Sequence, residues 1–148
     1  MQTQSYGAEA RGTAAWSSIV VDEKEIARPI PRVYDVFVAL TKEAFEKFIS
    51  RASKKALVAV DKDLVGDVSV SLERKLYAVP FTKIAEDSVG SRLPTNMVVI
   101  GFVVGATNVV NVESVKLVLE KMFKGKILEA NTTCLELGFK EALSRVRK

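Results

Sequence analysis

Residues 5–12 read SYGAEARG and bring Tyr6, Gly7, Glu9, Arg11 and Gly12 within eight positions. The two glycines give the backbone freedom and leave room for a close approach. Glu9 and Arg11, two residues apart, supply a carboxylate acceptor and a guanidinium fork. Such a fork can hold a phosphate or carboxylate in a bidentate manner, with Glu9 orienting it and Tyr6 packing on a neighbour. The same residues also fit a polar loop with a surface ion pair, or a loop held against an adjacent subunit. Asn96 is a further candidate, with an N-cap as its plainer role, and Asn131 reads in the same way.

The wider composition removes whole classes of chemistry. The 148 residues include one cysteine, Cys134, and no histidine. An internal disulfide is therefore impossible, as are four-thiolate iron–sulfur ligation, His-dependent nucleophile triads and the usual zinc sites. Cys134 falls in an apolar helical pattern and reads as a small core residue. With 48% hydrophobic and 27% charged residues the chain is a globular one, sized for a single domain over residues 1–148. Its net charge of +4 is spread over separate lysine-rich and arginine-rich stretches. That pattern describes solvated helix faces and not a nucleic-acid footprint. No signal-peptide architecture opens the chain, and the longest apolar stretch, residues 97–106, is too short to span a membrane. Cytoplasmic residence is the expectation.

The elements that must position these residues follow from periodicity. Residues 14–21 and 33–40 are β-rich, the latter apolar on both faces as in a parallel sheet. Thr41 offers an N-cap to a helix whose apolar residues recur at helical spacing, closed by the basic run 50–55. Residues 56–65 read as the next buried strand, which completes a βαβ unit. Short strands are expected at 69–72 and 76–79, and a helix at 82–88. Residues 96–107 are apolar all round and fit either a buried strand or a helix with small residues, Gly101 and Gly105, at a tight contact. Helices at 112–123, stopped by Gly125, and at 128–146 complete the chain. The fold class is α/β: a Rossmann-like, mostly parallel sheet flanked by helices, with a helical C-terminal third.

Four stretches together resemble one family. SYGAEARG is similar to the S-Y-G-P-E-x-R-G-G segment of the gamma-type subunit of 2-oxoacid:ferredoxin oxidoreductases, the pyruvate and ketoisovalerate synthases. YDVFVALTKEAFEKF (34–48) resembles the family's strand–helix unit D-V-L-V-A-L-N-Q-E-A. The segment from NMVVIG (96–101) through Lys126 is similar to its N-M-V-x-L-G helix pair, and NTTCLELGFKEA (131–142) to its closing helix. Ala8 replaces the family's proline, and Thr13 its second glycine. Family members also open with an upstream strand, a G-x-G-G-x-G-V loop and a helix, which this sequence lacks. These residues alone are an N-terminally truncated version of the fold, and omitting the first strand would leave unpaired edges and exposed apolar faces. The expectation is therefore that Met1 is an internal methionine or a late start, the alternative being that another chain supplies the missing segment.

The resemblance implies a non-catalytic gamma-type subunit of a complex that oxidatively decarboxylates a 2-oxoacid, forms an acyl-coenzyme A and reduces ferredoxin. It implies thiamine diphosphate, magnesium and iron–sulfur clusters in alpha-, beta- and delta-type partners, with none in this chain. It further implies that this component is structural, lies near the active region and is associated with coenzyme A engagement. The alternative reading is a stand-alone Rossmann-like nucleotide-binding or assembly module.

Overall fold

The computed structural model describes residues 2–4, 15–23, 26 and 31–146. They form two compact units, the first made of Met1–Val60 and Leu64–Tyr77, the second of Asp61–Asp63 and Ala78–Lys148.

In the first unit a short ribbon pairs β1 (Gln2–Gln4) antiparallel with β2 (Ser17–Ile19). Ser18 is buried between exposed neighbours, so the strand expected over 14–21 is shorter and turns Ile19 outward. A separate sheet has the order β3 (Tyr34–Ala39), β4 (Ala52–Asp61) and β5 (Lys75–Val79). β3 and β4 run parallel, joined through α1 (Lys42–Phe48), as the βαβ reading expects. Thr41 is the N-cap: its Oγ1 accepts from the Ala44 N–H at 3.2 Å, satisfying one of the orphan donors of the first turn. Phe45 then meets Phe37 with ring centroids 6.2 Å apart. Phe37, Ala39, Phe45, Val58, Val60 and Val65 form the centre of this core.

Three expectations change here. The basic run 50–55 does not close α1: a 3-10 turn, Ile49–Arg51, leads directly into β4. Ladder pairing slips between Tyr34, opposite Ala52, and Val36, opposite Leu57. This leaves residues 53–56 as a bulge, fastened where Arg74 donates to the Ser53 carbonyl (3.0 Å) and the Ala52 carbonyl (2.6 Å). Residues 56–65 are not all strand, because the chain turns into the short helix α2 (Lys62–Val65) after Asp61. Residues 69–72 form no strand. Val68 and Val70 pack on the core without pairing, and Leu72 projects from a turn.

The second unit is helical: α3 (Phe81–Val89), α4 (Thr95–Thr107), α5 (Val112–Met122) and α6 (Gly125–Val146). Residues 96–107 therefore resolve to the helix of the two readings. Phe81 and Phe102, both fully buried, meet edge to face at 5.5 Å. α4 and α6 approach at backbone contact. A Cβ on Gly101 would strike the Leu135 carbonyl oxygen, and one on Gly138 would strike the Val98 carbonyl oxygen. At Gly105 a Cβ would lie 2.8 Å from the Cβ of Ala142. The close-packing role expected of Gly101 and Gly105 holds, and Gly138 supplies its counterpart from the other helix. α5 starts at Asn111, whose side chain accepts from the Glu113 N–H at 2.9 Å. Gly125 begins α6 at a left-handed φ of 57° instead of only stopping α5, so α6 starts three residues earlier than its periodicity suggests.

Candidate functional site

Tyr6, Gly7, Glu9, Arg11 and Gly12 lie outside the described residues. Asn96 is described and does not cap α4. Pro94 holds the N-cap position, and Asn96 is the exposed second residue of the helix. The first turn is closed by other means: the Thr95 N–H and hydroxyl both donate to the Arg92 carbonyl, at 3.1 and 2.7 Å, and the Met97 N–H donates to the Pro94 carbonyl at 2.9 Å. Asn131 is not a cap either. It lies in the second turn of α6, buried, with its amide donating to the Ile127 carbonyl one turn back at 2.9 Å.

The structure singles out a residue that periodicity passed over. Asp61 is fully buried at the carboxyl end of β4. One carboxylate oxygen accepts from the Asp63 N–H at 3.0 Å, and the other from the Thr82 N–H at 2.8 Å, at the start of α3. The first turn of α3 has no acidic residue and no side-chain cap of its own, so Asp61 supplies the negative charge that a helix N-terminus favours. A buried carboxylate is tolerated where hydrogen bonds replace its water. The signal in the sequence was the D-K-D that ends an apolar run, read there as part of a strand.

The nearby charges are exposed and paired. Arg92 donates through Nε and Nη2 to one oxygen of Glu86, at 3.0 and 2.9 Å. That bond holds Arg92 above its ordinary value, to which Asp61 adds a smaller Coulombic share. Lys83 is raised by its hydrogen bond to Asp87.

Between α5 and α6, Lys116 bridges Glu136 at 2.7 Å and Glu113 at 3.2 Å. The Glu136 bond and then the Glu113 bond raise Lys116, and the Lys116 bond draws Glu136 below the usual carboxylate range. The stability from Glu136 is present above the ordinary carboxylate pKa and is lost as pH falls through the lowered value. That from Lys116 is present below the ordinary lysine pKa and is lost as pH rises through the raised value. E136Q should therefore flatten part of the acid limb of a urea-midpoint-against-pH curve. The effect should be small, since the pair is solvent-screened, and smaller still in high salt. An unchanged acid limb would show that the pair contributes nothing.

Cys134 is buried in α6, 3.8 Å from the Ser88 hydroxyl; burial pushes its thiol up, and Ser88 opposes this only in part. Such a thiol is chemically inert. Among the described residues no group of three or more His, Cys, Asp or Glu is placed to hold a metal ion, and no helix is long and apolar enough to cross a membrane. Within the second unit, glycine contacts set the α4–α6 distance and the buried Asp61 carboxylate accepts from the start of α3.

Comparison with known proteins identifies the family. Residues 1–141 match the family model described as pyruvate ferredoxin/flavodoxin oxidoreductase. The chain is 34% identical over 144 residues to the 2-oxoglutarate synthase subunit KorC of Methanocaldococcus jannaschii, covering 96% of this chain and 76% of that one. It is 29% identical over 142 residues to the pyruvate synthase subunit PorC of the same organism, covering 95% and 78%. Among solved structures it is similar to the gamma subunit of a keto/oxoacid ferredoxin oxidoreductase from Geobacter sulfurreducens. The TM-score there is 0.80 at 29% identity, over 97% of this chain and 80% of that one. The α/β fold with its parallel strand pair is that of these gamma subunits, and the chain belongs to the pyruvate ferredoxin/flavodoxin oxidoreductase family as a gamma-type member.

Proposed function

We propose that this chain is the non-catalytic gamma-type subunit of a cytoplasmic 2-oxoacid:ferredoxin oxidoreductase. The complex would decarboxylate a 2-oxoacid, transfer the acyl group to coenzyme A and pass the electrons to ferredoxin. The observation that carries this reading is similarity along almost the whole chain to proteins named as subunits of such synthases. The composition supports it: without histidine and with one buried cysteine, these 148 residues offer little to ligate a cluster. Those groups, with magnesium, are assigned to alpha-, beta- and delta-type partners. The relatives include both a 2-oxoglutarate and a pyruvate synthase subunit, so the substrate is proposed at the level of the 2-oxoacid class.

Within this reading residues 1–148 act as one gamma-type domain. Tyr6, Glu9 and Arg11, with Gly7, Gly12 and Asn96, are the proposed contact residues for either coenzyme A or an adjacent subunit, with the Arg11 guanidinium as the fork that would hold a phosphate or carboxylate. Substituting Arg11 in the intact complex separates the two. With R11A, a KM for coenzyme A raised about tenfold or more at unchanged kcat identifies a phosphate contact, since a charge-assisted hydrogen bond contributes about 1.5–3 kcal/mol. Loss of co-purification at unchanged KM identifies a subunit contact. No change in either removes the loop from the site.

A further inference from the structure

We draw no further inference here: the strongest candidate, the outward arc of α4 on which Val99, Ile100, Val103 and Ala106 remain partly exposed, is an unpartnered apolar helix face, and nothing in the structure shows what covers it.

Discussion

Replacing Gly138 with alanine should destabilise the helical unit by about 1–3 kcal/mol, the range for overpacking a close contact. The sign is informative because intrinsic propensity points the other way: alanine in a helix interior is favoured over glycine by about 1 kcal/mol. Gly138 lies mid-helix in α6, and the new methyl would meet the Val98 carbonyl, with its carbon only 2.7 Å away. That neighbour is backbone of α4, so relief requires the two helices to part and not a side chain to rotate. G101A should behave alike, since its methyl would meet the Leu135 carbonyl and lie 2.9 Å from the Phe139 nitrogen. Because one separation of the helices relieves both clashes, the double variant should cost less than the sum of the single ones. Gly66 provides the control: its φ is 72° and a Cβ there meets nothing within 4 Å, so G66A carries only backbone strain of about 1–2 kcal/mol. Urea midpoints at constant m-value read all four proteins. A neutral or stabilising G138A would mean that α4 and α6 do not touch at this point.

Much of that seam was legible beforehand, for a physical reason. A small residue within an aliphatic run leaves few uses other than close approach, so Gly101 and Gly105 pointed to a tight contact even while strand and helix still competed. Thr41 and the run after it were equally readable, because a capping hydroxyl and helical spacing are local. The roles that failed depend on where an element starts or whether it pairs, which residue type and spacing do not fix. Asn96 looks like a cap until Pro94 is seen to occupy that place, and Asn131 looks like one until α6 is found to begin at Gly125. Residues 69–72 carry strand-like composition, but pairing, not composition, makes a strand. Of the residues singled out beforehand, Asn96 and Asn131 fall within the described part of the chain, and Tyr6, Gly7, Glu9, Arg11 and Gly12 do not.

Asp61 is the second large expectation. D61A should cost about 2–4 kcal/mol, because it removes a helix cap and a fully buried side chain and leaves the Asp63 and Thr82 N–H groups without their carboxylate acceptor in a partly buried place. D61N keeps one acceptor oxygen and roughly the shape, and should lose about half as much. Loss should concentrate where β4 ends and α3 begins, so amide exchange at Thr82 should accelerate more in D61A than exchange in the middle of α6. Equal costs for the two variants would mean that charge, and not an acceptor, is what the site requires. A cost below about 0.5 kcal/mol for D61A, the range of an ordinary surface change, would mean that neither is needed.

Asp61 and the α4–α6 seam hold the second unit in shape. The proposed subunit reading has a direct test. The native locus would be tagged, the protein purified anaerobically, and the co-eluting chains identified together with their colour and thiamine content. Stoichiometric recovery with a brown, thiamine-containing assembly is the predicted result. A colourless monomer that binds a nucleotide and recruits no oxidoreductase chain would contradict the account.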